Sequence, residues 1–262
     1  GGVGNGTVIE NIQVSYGNDD SYEFFGGTVN CKNLIAFATA DDDFDFDFGY
    51  NGRIQFAVSL RDPKFVDGGD AGNGIECDND GAGTVAGPRT RPQLSNFTFV
   101  GPNGADGTLA NHNFSTRFRR STQFSLTNSI LIGYMDAGFQ FESDSTAAAY
   151  IDGRSRFRHN LVHGVAEPYK VGSTSLINAA TVKTKAEGVD SCKTYASAND
   201  VMLENPFNLT APNFLPKAGS PALTGASFFG LSGFTTTTYI GAFGTTNWMQ
   251  GWTSFTPQTN VY

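Results

Sequence analysis

The sequence predicts an all-β chain folded as a β-solenoid with loop excursions and a C-terminal cap and tail. Three observations predict it. The first is an ungapped repeat. Asn11-Ile12-Gln13-Val14-Ser15-Tyr16 and the following Asp19 to Gly27 recur 22 residues later as Asn33-Leu34-Ile35-Ala36-Phe37-Ala38 and Asp41 to Gly49. A period of that length, built of short β-type runs without helical spacing, belongs to turns that must stack to bury an apolar face. The second is alternation. In Asp41-Asp42-Asp43-Phe44-Asp45-Phe46-Asp47-Phe48-Gly49 a strand's period of two puts Asp41, Asp43, Asp45 and Asp47 on one face and the three phenylalanines on the other. The third is composition. With 32 Gly and 23 Phe but only 16% charged residues, the chain suits many tight turns around an aromatic core.

Taken in order, residues 1 to about 62 are the most regular turns. Arg53-Ile54-Gln55-Phe56-Ala57-Val58-Ser59-Leu60 supplies one more, and Val14, Phe24, Leu34, Phe44, Phe46, Phe56 and Val58 are expected in the core. Residues 63–92, rich in Gly and Asp, read as an excursion. Within it, Gly74-Ile75-Glu76-Cys77-Asp78-Asn79-Asp80-Gly81 looks like another acidic strand edge with a weak calcium-loop look. Turns resume near Leu94. An Asn precedes an apolar run at Asn96, Asn128 and Asn160, as at Asn11 and Asn33, which predicts an Asn ladder inside a bend. Ser175 to Gly188 can carry a short helix near Ile177–Ala186. The organisation expected is β-helix turns over 1–204 and a cap and tail over 205–262 packed on the same domain. No cap precedes the first turn, so the natural protein is expected to begin further upstream.

A net charge of −8 argues against nucleic acid as a partner. No run is apolar and long enough to cross a membrane. Cys31, Cys77 and Cys192 are too few and too widely spaced for a disulfide framework or a CxxC metal site. A Cys31–Cys77 pair stays open beside three separate thiols.

The stretches Asp19 to Val29, Asp41 to Asp47, Ile54 to Pro63, Lys217-Ala218-Gly219-Ser220-Pro221-Ala222 and Tyr239-Ile240-Gly241-Ala242-Phe243-Gly244 resemble the secreted or outer-membrane-associated right-handed parallel β-helix proteins of Bacteroidota. So do Trp248 and Gly251-Trp252. The resemblance implies the fold, an extracytoplasmic location and a lost export or lipoprotein segment. It implies no catalytic residues. Relatives of this architecture that act on or bind polysaccharides make a glycan the foremost ligand class, by analogy. A complex at the outer membrane or cell surface is the other partner expected.

Chemistry concentrates in two groups. The offset of 22 sets Asp19 beside Asp41, Asp20 beside Asp42 and Glu23 beside Asp45, about 4.8 Å apart. Such an array needs neutralising. Calcium held by Asp19, Glu23, Asp41, Asp43, Asp45 and Asp47 would do it. So would Arg53, Arg61, Arg89 or Arg91, and the carboxylates could instead cap turn amides. The second group is basic. Arg117 and Arg119, with Arg120, lie one turn before Arg154, Arg156 and Arg158, and a stacked patch could hold an anionic sugar. A solvated, salt-bridged face is the plainer reading. Asp144-Ser145-Thr146 fits a short O-glycosylation pattern, and His163-Gly164 matches a fragment of a polygalacturonase motif. The function expected is a cell-surface β-helix that binds or presents a glycan without catalysis. The alternative is a polysaccharide lyase or glycoside hydrolase of the pectate-lyase-like architecture.

Overall fold

The structure, a computed structural model, describes residues 1–259. A nine-stranded parallel sheet takes β1 (Val8–Ser15), β3 (Asn30–Phe37), β5 (Arg53–Leu60), β7 (Gln93–Val100), β10 (Ile130–Tyr134), β13 (Leu161–Gly164) and β15 (Lys193–Thr194) in that order. Strand β9 (Ser125–Thr127) pairs with β7, and β12 (Arg156–Arg158) pairs with β9. A six-stranded parallel sheet stacks β2 (Tyr22–Phe25), β4 (Phe44–Asp47), β6 (Ile75–Cys77), β8 (Arg117–Phe118), β11 (Ala137–Glu142) and β14 (Glu167–Gly172). Strands thus alternate between two parallel sheets in chain order, which is a parallel β-helix. The 22-residue offset is the register itself: Ile12 lies beside Leu34 and Glu23 beside Asp45.

Each long strand of the first sheet bends at one residue with positive φ. Asn11, Asn33, Phe56, Asn96, Asn128 and His159 stack at this corner with φ between 52° and 62°. Asparagine tolerates this left-handed conformation because its short amide bonds locally. Asn33 Nδ2 donates to Asn11 Oδ1 at 3.0 Å. The ladder is interrupted at Phe56, which is buried beside Tyr239 with ring centroids 6.4 Å apart instead of lying in the main core. Asn160 is not in it. Loop length sets the last offset to 31, so Leu161 pairs with Ile130, His159 takes the corner and Asn160 Oδ1 accepts from the Ser129 amide.

The inner core is aromatic. Phe44, Phe46, Phe97, Phe99, Phe118, Phe124 and Phe139 are fully buried, and Tyr22 and Phe24 stack on Phe44 and Phe46 in the next turn. Leu34 and Val58 are buried as expected, while Val14 and Phe24, in the first rung, are only partly covered. A second apolar cluster lies outside the solenoid. Ile35, Phe37, Val58, Leu60, Ile130 and Ile132 face Val201, Phe214, Ile240, Phe243 and Met249. Residues 198–255, which include the antiparallel pair β16 (Leu203–Asn205) and β17 (Asn213–Pro216), therefore lie along the flank of the helix. They are tied there by Thr235 N to Gln55 Oε1, Ala242 N to Thr98 Oγ1 and Ser254 N to Gln13 Oε1. Strands covered on both faces read as continuous apolar runs, which is the pattern of β10 at Ile130-Leu131-Ile132.

The end of the inner core is closed by helix α2 (Ala179–Gly188), capped by Asn178, whose Val182 and Ala186 join that core. The sequence placed this helix within two residues at either end. It did not reveal α1 (Asp144–Ile151), whose run of small residues has no apolar stripe. The O-glycosylation pattern falls in the first turn of α1, with Thr146 fully buried and Ser145 half-buried. The 63–92 excursion contains one strand of the six-stranded sheet, β6, flanked by loops on both sides. The three thiols are separate and buried.

Candidate ligand-binding faces

The outer face of the six-stranded sheet carries a single column of paired positions: Glu23, Asp45, Glu76, Arg117, Gln140 and Lys170. Alternation puts them outside because Phe44, Phe46, Ile75, Cys77 and Phe118 point in. The column changes sign part-way. At its middle, Arg117 lies 3.5 Å from Glu76 and 3.2 Å from Glu142. Arg119 binds both Glu76 and Asp78, the latter through Nε at 2.9 Å, and Arg120 reaches Asp78 at 2.8 Å. These six residues neutralise one another.

The N-terminal rungs lack that compensation. Oxygens of Asp19, Asp20 and Asp41 gather within 4.8 Å of one another, and so do those of Asp20, Glu23 and Asp45. None of these five has a basic partner within ion-pair distance among the described residues, and Asp45 Oδ1 is buried without a hydrogen bond. Burial is the main reason that their carboxyls are held above the ordinary range: Asp45 about 9, Asp20 about 8 and Asp41 about 6, with Glu23 also raised. Neighbouring carboxylates add to each shift. Oxygens about 2.3–2.6 Å from one calcium can sit within 5 Å of each other, so both triads fit a hard cation that accepts carboxylate ligands. Beside them Phe25 and Phe48 stack at 5.4 Å on the surface, 41% and 54% exposed.

Two members of the expected calcium set lie elsewhere. Asp43 is not outward. Strand β4 begins only at Phe44, so period-two alternation does not extend back to it, and the carboxylate is fully buried. There it accepts from Arg61 Nη1 at 3.1 Å, Ser59 Oγ at 2.5 Å and Tyr134 OH at 3.0 Å. Arg61 is itself fully buried, donates to the Asp41 carbonyl at 2.6 Å and packs Nε against His112 Nδ1 at 3.5 Å. Asp47 is on the outer face but caps the Phe48 amide at 2.6 Å. Phe48 is exposed rather than core, because β4 ends at Asp47 and Phe48 turns with φ 46°.

Turn capping forms its own ladder. Asp20 accepts from the Asp42 amide, Asp42 from the Asn73 amide and Asn73 from the Phe114 amide. Arginine pairing, turn capping and bare clustering thus all occur, at different positions of one acidic run.

The arginines do not stack as a single patch. Arg117 lies on β8 of the six-stranded sheet, with Arg119 just after it, whereas Arg156 and Arg158 lie on β12 of the other. Arg154 pairs with Asp152 at 2.7 Å and Arg158 with the buried Asp190 at 3.2 Å. Arg156 donates to the Gly230 carbonyl. The Asp78–Gly81 loop is self-satisfied. Asp78 is taken by arginines, Asn79 binds the Thr84 and Ala86 carbonyls, and Asp80 caps the Ala82 and Thr84 amides. His163 is buried and its Nδ1 accepts from the Gly133 amide, so it faces no substrate groove. No helix among the described residues is long and apolar enough to cross a membrane.

Searches among curated proteins and solved structures gave no match. A family model described as a pectate-lyase-like β-helix domain matches residues 1–253, nearly the whole chain. Parallel sheets stacked in chain order, the bent corner of left-handed asparagines and that match agree: the chain belongs to the pectate-lyase-like β-helix domain family.

Proposed function

We propose that this chain is an extracytoplasmic β-helix that binds a polysaccharide at the acidic end of its six-stranded sheet and does not cleave it. The observation that carries the reading is the pair of uncompensated carboxylate triads sharing Asp20, set beside the exposed Phe25–Phe48 stack. Asp19, Asp20, Glu23, Asp41 and Asp45 would hold calcium, which supplies positive charge for a sugar's hydroxyl or carboxylate oxygens. The phenyl faces offer apolar contact to a sugar ring.

Two features favour binding over catalysis. Elimination needs a free basic side chain at the calcium-held sugar, and the arginines that flank the acidic column, Arg117, Arg119 and Arg120, are each held by carboxylates. Hydrolysis needs two carboxyl groups whose pKa values are pushed apart. Here burial shifts Asp20, Glu23, Asp41 and Asp45 in one direction, upward.

A panel of neutral and acidic polysaccharides, screened by calorimetry with calcium or with excess chelator, tests this. Binding that needs calcium and disappears in Asp20→Asn/Asp45→Asn is expected, with no new reducing ends and no ultraviolet absorbance from unsaturated products. Calcium-independent binding, or turnover, would overturn it.

A further inference from the structure

A second face of the molecule carries a different chemistry. On the outer face of the first sheet, before its bend, one column reads Arg53, Gln93, Ser125 and Arg156 across β5, β7, β9 and β12. Two residues upstream, Arg91 and Gln123 follow Asn51 in successive rungs: the Arg91 amide donates to the Tyr50 carbonyl and the Gln123 amide to the Thr90 carbonyl. Arg89 adjoins them. Arg89 and Arg91 wall an open hollow of about 590 Å³ whose floor includes Gly27 and Gly49 and whose sides include Asn51 and Gln123.

This is a donor-rich surface in an acidic protein. Among the described residues none of Arg53, Arg89, Arg91 and Arg156 has a carboxylate within ion-pair distance. Arg89 and Arg156 reach only backbone carbonyls and the Ser145 hydroxyl. Arg53 Nε, Arg91 Nε and Ser125 Oγ are buried with no hydrogen-bond partner, three of the eight such side-chain atoms in the molecule's described part. Like charges assembled without a counter-charge repel, and buried unsatisfied donors are costly. Loss of solvent, and the nearness of Arg154 to Arg89 and of Arg156 to Arg91, weaken the hold of both on the proton, opposed at Arg89 by the smaller effect of Asp80. Arg158, in contrast, already holds Asp190 and is a matched control.

We propose that this face is an oxyanion site, with Arg89 and Arg91 as its principal ligands and Gln123 and Asn51 beside them, that takes a sulfate or carboxylate group carried on a saccharide. Guanidinium forks suit planar or tetrahedral oxyanions, amides suit the flanking hydroxyls, and the hollow has the volume of an ordinary ligand pocket. These residues sit in the turns that lead into the first sheet. The hollow adjoins the Phe25–Phe48 stack through Gly27 and Gly49 but shares no carboxylate ligand with the triads and does not require calcium, so its test is separate from that of the function proposed above.

Calorimetry in excess chelator at fixed ionic strength tests it, with sodium sulfate, a sulfated disaccharide, a uronic-acid disaccharide and a neutral disaccharide as probes. A charged disaccharide is expected to bind at least tenfold more tightly than either sulfate or the neutral sugar. Arg91→Gln, and separately Gln123→Glu in case the first variant folds poorly, should weaken it about tenfold or more, the effect of losing a charge-assisted hydrogen bond. Arg158→Gln should change it less than about twofold. Equal binding of charged and neutral sugars overturns the proposal. So does free sulfate binding as tightly as either charged disaccharide, or an Arg158→Gln loss matching that of Arg91→Gln.

Discussion

The N-terminal end and the middle of the outer column on the six-stranded sheet occupy equivalent strand positions and behave oppositely. At Glu76 and Asp78 the next rung supplies Arg117, Arg119 and Arg120, and the charges close on themselves. At Glu23 and Asp45 the next rung supplies more carboxylate, and the charges stay open. In a parallel stack each residue's neighbour is its counterpart one turn on, about 4.8 Å away. The register, more than local sequence, therefore decides whether an acidic strand is a structural tie or a site that takes something from outside.

The largest expected effect concerns the most fully neutralised carboxylate. Arg61→Met strands Asp43 in the core without a counter-charge and should cost about 3–5 kcal/mol, read as a fall in the denaturant midpoint. A loss under about 1 kcal/mol would mean that the Asp43 network is not a tie at all. Next, Arg119→Gln turns the closed middle into a copy of the open end. It frees one side each of Glu76 and Asp78, should cost about 1–3 kcal/mol, and should add a calcium response absent from that part of the wild-type sheet. If stability is unchanged, the comparison loses its energetic basis.

A third expected effect is the pH dependence of the open end. In the folded chain Asp41, Asp20 and Asp45 hold their protons up to about 6, 8 and 9, while the unfolded chain releases them near an ordinary value of about 4. The folded state thus binds more protons over that interval, so stability is full below about pH 4 and declines as pH rises towards 9. In chelator the melting temperature should fall across pH 5–9. Calcium should flatten the slope by binding the ionised form, with a gain set by its excess over the dissociation constant. Asp45→Asn should reduce the slope even without calcium. A melting temperature that rises with pH in chelator would show that burial does not govern these carboxyls.

Much of the architecture was legible because it is periodic. The 22-residue offset gave the pairing of Glu23 with Asp45, and alternation gave the inward Phe44 and Phe46. The reading went astray where the period ended. Asp43 and Phe48 flank a strand only four residues long, so extending the alternation by one residue at either end placed the first outside and the second inside. Arg117 on β8 and Arg156 and Arg158 on β12 read as one turn apart in the sequence yet belong to different sheets, because β9, β10, β11 and α1 lie between them. Asn51, Arg91 and Gln123 carry no shared motif at all. Their grouping arises from turns stacked across loops of unequal length.

By itself the sequence determined the repeat, its phase and the aromatic interior, since those depend on neighbours at a fixed offset and on burial of every second side chain. Only the tertiary structure decided which charges meet. Asp43 draws its partners from Ser59, Arg61 and Tyr134, and Glu76 draws its own from Arg117 and Arg119. The excursions at 61–74 and 101–116 break the constant offset between those rungs. Coulomb and hydrogen-bond energies act at contact distance, and contact distance there is set by how the loops return the chain to the stack.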